Sequence, residues 1–155
     1  MCQTPHILVA AAIGIMTRNP YYAFIAGFIS HLVLDSIPHY DLESHFRDSS
    51  HKIVVALAVS DFVFGFLVLF LFLYHRPSSI RKLAYIGAFG GVILDLIDEV
   101  AVRYVWPGIR ATKVGRALHY LHKKFHSHEY REYWYFGIAT QVGSFLGGLA
   151  TIYCI

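Results

Sequence analysis

Long apolar runs separated by short polar breaks dominate the chain. Their lengths and spacing predict helical segments at about residues 5–17, 21–37, 53–74, 80–105 and 133–155. Proline marks the breaks after the first three runs, at Asn19-Pro20, Pro38 and Arg76-Pro77. The third run is an unambiguous membrane-spanning candidate, whereas the first is short and the second barely long enough. These first two segments either cross a membrane or form a hairpin that does not cross it fully.

A sixth element differs from these five because its polar and apolar residues alternate with a helical period. Within the connection at about residues 107–131, an apolar stripe lies opposite a basic face and roughly 80° from a stripe of histidines. The apolar stripe contains Val114, Leu118, Leu121 and Phe125, and the histidine stripe contains His119, His122 and His126. This pattern predicts an amphipathic helix at the membrane interface, whose basic face meets lipid phosphates.

Composition supports a membrane protein. Hydrophobic residues make up 56% and charged residues 15% of the 155 residues, and the mean hydropathy is +0.50, as is typical of integral membrane proteins. The expected fold is all-α: a single membrane domain, residues 1–155, with five helical segments and one interfacial helix. The net charge of +3 is too small to argue for a nucleic-acid partner. Cys2 and Cys154, at opposite chain ends, provide no disulfide framework.

The basic residues also predict an orientation. If all five segments cross, most lysines and arginines lie on one side, which the positive-inside rule assigns to the cytoplasm. The N-terminus then lies inside, and the expected location is the cytoplasmic (inner) membrane. The first apolar segment lacks the basic start of a secretory signal, so we expect it to be retained in the protein. Most of the buried-type histidines and acids fall in this same half.

The clearest candidate site lies at the end of the second segment. His31 and Asp35 are four residues apart and therefore share a helix face, and His39 and Asp41 follow beyond Pro38. Ionisable groups at membrane depth are expensive and usually mark a functional site. The pair suits a metal site, or a histidine ring oriented by a carboxylate. The alternative is a hydrogen-bonded pair that joins two helices.

A second acidic group ends the fourth segment. Asp95 follows Gly87 and Gly91, whose GxxxG spacing permits close helix approach and predicts that Asp95 lies against the second segment. Asp98 and Glu99 could instead pair with Arg103. In the fifth segment, Gly143-x3-Gly147 predicts packing within or between subunits, so a homo-oligomer is a candidate assembly.

Asp61 stands alone in the third segment and needs a partner at that depth. Three roles are open. It could be a metal ligand, an acceptor that orients a histidine, or a protonated carboxyl bonded to another helix.

Several of these motifs resemble the membrane-bound metal-dependent hydrolases, small inner-membrane proteins that include a LexA-binding member. SHLVLD at residues 30–35 resembles that family's SHxxLD, and FHS at residues 125–127 is similar to its THS. GGVILDLID at residues 90–98 is similar to its GxxxPDxD, with Leu94 in place of proline, and His6 matches an early histidine. The resemblance implies a helical membrane enzyme with a His/Asp metal centre and hydrolytic activity.

The expected function is therefore metal-dependent hydrolysis of a phosphoester or acyl bond in a lipid or amphiphile at the cytoplasmic face. Membrane lipid is both environment and candidate substrate. Zn²⁺ is the preferred ion, with Mn²⁺ or Fe²⁺ as alternatives, and one or two ions are expected. The expected ligands are His6, His31, Asp35, Asp95, Asp98, His122 and His126, and Asp61 or His39 would move the proton.

Two other functions remain open at this point. Intramembrane acids and histidines also serve metal-ion or proton transporters, which would place polar groups through the whole membrane depth. A non-enzymatic scaffold with a structural metal would instead have a closed coordination shell.

Overall fold

The computed structural model describes residues 3–37, 39, 51–98, 106–125 and 134–155, and every regular element in these ranges is helical. The α-helices are α1 (Gln3–Thr17), α2 (Pro20–Ser36), α3 (His51–Leu73), α4 (Ser78–Asp95), α5 (Lys113–Phe125) and α6 (Trp134–Cys154). Three residues of π-helix, 96–98, extend α4, and a 3₁₀ helix, Pro107–Ala111, precedes α5. The predicted all-α class is therefore confirmed for the described chain.

Helix α1 forms the centre of the molecule. It packs against α2, α3, α4 and α6, and its Ile7 and Leu8 side chains are completely buried. Buried residues lie all around this helix rather than on one stripe, as expected for a helix enclosed by others. The short first apolar run is thus the core of the bundle.

The turn between α1 and α2 follows the predicted break at Asn19-Pro20. The Asn19 side chain accepts hydrogen bonds from the backbone N–H of Tyr21, at 2.9 Å, and of Tyr22, at 3.4 Å. Pro20 occupies the first turn of α2, where its missing N–H has no intrahelical partner to lose. Because the turn is short, α1 and α2 run antiparallel, and the start of α1 lies beside the end of α2.

Glycine brings α4 into close contact with α1 and α2. A Cβ atom at Gly87 would collide with the backbone of Ala10, and one at Gly27 would collide with the backbone of Gly87. A Cβ at Gly90 would likewise collide with Phe24. The close helix approach predicted from the GxxxG spacing is therefore observed, and it places the end of α4 next to the end of α2.

The outer surface of the bundle is largely apolar. Large hydrophobic side chains are exposed along three helices, among them Ile29 and Val33 of α2, Val63 and Leu67 of α3, and Val142 and Leu146 of α6. Within the described ranges, one helix is long and apolar enough to cross a membrane by length and composition, with its apolar window at Ala56–Leu73 in α3.

Candidate metal centre

Four helices bring histidines and acids together at one end of the bundle. Their positions follow from the topology, because α1 begins where α2 and α4 end. The converging side chains are His6 of α1, His31 and Asp35 of α2, Asp95 of α4 and His122 of α5. His31 is 0% exposed and Asp35 2% exposed, so ionisable groups face one another away from solvent.

Two histidine Nε2 atoms each lie close to two carboxylates. His31 Nε2 is 3.1 Å from Asp35 Oδ2 and 3.5 Å from Asp95 Oδ1. His122 Nε2 is 3.6 Å from Asp35 Oδ2 and 3.2 Å from Asp95 Oδ1. Ligand atoms of a tetrahedral zinc site are separated by roughly 3.3–3.6 Å, given bonds of about 2.0–2.2 Å. The four atoms therefore have the spacing of a small coordination sphere.

The same geometry is met by a compact group of three buried residues. One ligand atom from each of His31, Asp35 and His122 lies within 4.8 Å of the other two. Asp95 adjoins both histidines of this group, and its side chain is 17% exposed. Three ligands are thus enclosed, while the fourth candidate is partly accessible from outside.

Hydrogen bonds fix the orientation of both rings. His31 Nδ1 lies 2.8 Å from the carbonyl oxygen of Gly91, which can only accept, so Nδ1 carries the proton. His122 Nδ1 donates to Asp98 Oδ2 at 3.0 Å. In the neutral rings both Nε2 atoms then have lone pairs directed at the carboxylates. A histidine whose second nitrogen is held by a carboxylate or a backbone carbonyl is typical of metal sites.

With both rings neutral, acceptors face acceptors at the middle of the cluster. Within the described ranges, His31 Nε2 and Asp35 Oδ2 have no hydrogen-bond partner, although they are 3.1 Å apart. Burying polar atoms without partners is unfavourable, and buried charges are normally paired or bound to metals. A second proton on the His31 ring would join the two atoms as an ion pair. A divalent cation would satisfy both atoms and also neutralise the charges of Asp35 and Asp95.

His6 reaches the other oxygen of the same carboxylate. Its Nε2 is 3.2 Å from Asp35 Oδ1, and its ring centroid is 4.3 Å from that of His31. His6 Nδ1 is buried and has no hydrogen-bond partner within the described part of the chain. The predicted ligand His6 is therefore adjacent to the centre through Asp35 Oδ1, while His122 approaches Asp35 Oδ2.

Asp98 lies on the far side of the His122 ring. Besides His122, its carboxylate accepts from His119 Nδ1 at 2.9 Å and pairs with Arg110 Nη2 at 3.2 Å. These contacts fully engage Asp98, which is only 5% exposed. The geometry favours a supporting role for Asp98, orienting His122, over the predicted role as a direct ligand.

Asp61 meets the first turn of α1. It accepts hydrogen bonds from the backbone N–H groups of Gln3 and Thr4, and from the Thr4 hydroxyl at 2.7 Å. These are the N–H groups that a helix leaves unpaired, and a carboxylate is favourable at this end of a helix. Of the roles left open by the sequence, the contacts display a bond to another helix, but Asp61 accepts in it and a protonated carboxyl is not required.

Gln3 was not predicted to belong to the site. Its side-chain amide donates to Asp95 Oδ2 while its backbone N–H donates to Asp61. One residue thus connects the start of α1 with a candidate ligand on α4. The available signal was weak: two polar residues, Gln3 and Thr4, precede Pro5 at the head of an apolar helix.

Of the remaining predicted residues, His39 is described and three lie outside the described residues. His39 is buried, and its Nδ1 donates to the carbonyl oxygen of Ile37 at 2.8 Å. His126, Asp41 and Glu99 fall outside the described ranges.

No protein-family model matches the chain, and neither a curated protein nor a solved structure is significantly similar to it. The resemblance to membrane-bound metal-dependent hydrolases therefore stays a prediction, and function has to be argued from the site.

Proposed function

We propose that the protein is a membrane-embedded, metal-dependent hydrolase with a divalent ion held by His31, Asp35, His122 and Asp95. The observation that carries this proposal is the orientation of the two rings. Gly91 and Asp98 hold the Nδ1 hydrogens, so both Nε2 lone pairs point at carboxylate oxygens 3.1–3.6 Å away. A divalent cation at this point would satisfy the lone pairs of both neutral rings and the charges of both carboxylates together.

The donor set indicates the chemistry. Two imidazoles and two carboxylates without thiolate suit Zn²⁺ first, and also Mn²⁺ or Fe²⁺. A bound ion of this kind supplies Lewis acidity and makes water a nucleophile near neutral pH. The chain itself holds the ligands in place: Asp98 fixes the His122 ring, Gly91 fixes the His31 ring, and Gln3 holds the second oxygen of Asp95.

The partial exposure of Asp95 favours catalysis over a structural metal. A structural site is closed, whereas a catalytic site keeps a position for water or substrate. Asp95 is 17% exposed, and the neighbouring His119 and Arg110 side chains are 40% and 46% exposed. Substrate can therefore approach the centre from the side that these three residues form.

The one-sided distribution favours hydrolysis over transport. A transporter needs polar groups along the path of the ion. Here the described histidines and acids of the cluster gather at one end of the bundle, and toward the other end α4 meets α1 and α2 through glycine and alanine, including Gly14, Gly87 and Ala84. The described side chains in these contacts are apolar, which argues against a polar route between α4 and its two neighbours at that end.

Membrane embedding is supported by the outer surface. Soluble monomers rarely expose large contiguous apolar patches, but α2, α3 and α6 each carry exposed large apolar side chains. The proposal places these helices among lipid tails, with the metal centre at the membrane face where α2 and α4 end. If all five segments cross, the positive-inside rule places that face in the cytoplasm.

Metal analysis and an activity assay test the proposal together. Protein purified in detergent is loaded with Zn²⁺ or Mn²⁺, and metal content is compared for the wild type, His31→Ala and the matched control His75→Ala, an exposed histidine outside the site. We expect about one bound equivalent in the wild type and control, its loss in His31→Ala, and metal-dependent hydrolysis of a lipid phosphoester or ester. Metal binding that is equal in all three proteins would overturn the proposal.

A further inference from the structure

Helix α5 is attached to the bundle by the face that carries its histidines, and not by its apolar stripe. Its buried residues are Gly115 and His122, and His119 and His122 reach Asp98. The apolar stripe lies about 80° around the helix and is only partly covered: Leu118 and Leu121 are half-buried, whereas Val114 is 69% and Phe125 37% exposed. An amphipathic helix that turns its apolar stripe outward needs another apolar phase there.

The surroundings of this stripe are apolar too. Helix α5 packs against α2, and α2 exposes Ile29, Val33 and Ile37 at four-residue spacing on its outer face. The stripe and this face belong to neighbouring helices. A lipid phase that covers α2 would also reach α5.

The remaining face of α5 is strongly basic. Its polar side carries the exposed residues Lys113, Arg116, Lys123 and Lys124, and the helix contains no acidic residue. A helix with an apolar stripe beside a basic face lies in the plane of the membrane interface and prefers anionic lipid. Charge complementarity therefore selects phospholipid headgroups as the neighbours of this face.

We propose that α5 lies at the boundary between headgroups and acyl chains, and that the hydrolase acts on anionic phospholipid of that leaflet. The lipid-class part rests on the proposed function. The helix sets the depth of His122 and of its partner Asp98, so the centre meets the ester and phosphate region of a lipid. Arg110 and His119, half-exposed on Asp98, lie at the edge that such a headgroup reaches first.

The position of α5 is tested without any activity. Spin labels are attached to Val114→Cys and to Tyr120→Cys, with the native cysteines replaced by serine, in nanodiscs containing phosphatidylglycerol. The two side chains are similarly exposed, 69% and 63%, but lie about 120° apart around the helix. We expect oxygen to relax the label at residue 114 more strongly than a water-soluble nickel chelate does, and the reverse at residue 120.

Two outcomes overturn this position. Equal access of the nickel chelate to both labels would place α5 in water. Shielding of residue 114 from both reagents would assign the stripe to a protein neighbour instead of lipid.

The substrate class is tested by comparing lipids. Hydrolysis of phosphatidylglycerol is expected to exceed that of phosphatidylcholine, and Lys123→Glu/Lys124→Glu is expected to lower it at least about tenfold with bound metal unchanged. The control is Lys82→Glu, an exposed charge reversal on α4. Equal hydrolysis of both lipids would overturn the lipid-class inference and leave the hydrolase standing. Absence of all hydrolysis would overturn the proposed function, while the spin-label result would still decide the position of α5.

Discussion

The two ends of the α1–α2–α4 bundle are stabilised by opposite means. Toward one end the helices touch backbone to backbone at Gly14, Gly27 and Gly87. At the other end they meet through buried ionisable side chains such as His31 and Asp35. The first kind of contact stabilises by close packing alone, whereas the second is favourable only when charge and lone pairs are satisfied. Gly91 joins the two, because it packs against Ala10 and its carbonyl accepts from His31.

The comparison teaches that the backbone contacts at Gly14, Gly27 and Gly87, here called the glycine seam, position the ligands. Asp95 is two helical turns beyond Gly87 on the same helix, so any separation of α4 from α1 and α2 displaces Asp95 from His31. Packing and chemistry are therefore coupled in one direction: a change in the seam should affect the centre, while a change in the centre should leave the seam intact.

The largest effect is expected for Gly87→Val. A Cβ at this position would collide with the carbonyl oxygen of Ala10 and lie 2.9 Å from Gly14 Cα, so the helices must move apart. We expect the free energy of unfolding to fall by about 3 kcal/mol, measured by denaturant titration in micelles, together with loss of metal. The control Gly143→Val adds a side chain where no atom of the described residues lies within 4 Å, so the packing within the subunit predicted from Gly143-x3-Gly147 is not observed there. A stable Gly87→Val protein that still binds metal would refute the coupling.

His31→Ala and Asp35→Asn should break the other end alone. Each removes an enclosed ligand atom, so metal affinity is expected to fall at least about 100-fold, measured by competition with a chromophoric chelator. The thermal midpoint of the wild type should rise on metal addition, because the metal binds the folded state. The midpoints of both variants should not respond to metal. A response equal to that of the wild type would place the ion elsewhere.

The variant Asp98→Asn distinguishes two roles for Asp98: orienting the His122 ring, or binding the metal directly. If Asp98 holds the His122 ring, the loss of its carboxylate should reduce metal affinity about 10- to 100-fold and leave the stoichiometry unchanged at saturating metal. The spectrum of a Co²⁺-substituted protein should keep its ligand-field bands. Loss of binding at saturation, or a changed coordination spectrum, would instead support the direct ligation predicted from the sequence.

Much of the architecture was readable in the sequence because the relevant physics is local. Apolar run lengths, the Asn19-Pro20 break and the helical spacing of His31 and Asp35 depend on neighbours along the chain. The GxxxG spacing predicted the close approach of α4 to α2, but not the backbone contact of Gly87 with Ala10 and Gly14 of α1.

The hydrogen-bond partners of the aspartates could not be predicted from the sequence, because they depend on how the helices pack. Whether Asp61 bonds to α1 or to a histidine depends on how α3 is placed against α1, which periodicity does not encode. Asp98 and Asp95 share a stretch of sequence, but the π-helical residues 96–98 alter the register between them. Gln3 carries no ionisable group, so no argument from the cost of buried charge could single it out.

The smallest effects should separate the two bonds that Gln3 makes. Asp61→Asn weakens the acceptor for the first N–H groups of α1, so it should lower stability by about 1 kcal/mol and leave metal affinity near the wild-type value. Gln3→Ala keeps the backbone N–H but removes the donor to Asp95, so it should weaken metal binding a few-fold with little change in unfolding. Stability measured by denaturant titration and affinity measured by chelator competition distinguish the two. If both variants lost metal to the same degree, the start of α1 would belong to the metal centre itself, and the division between a packed end and a chemical end would fail at this helix.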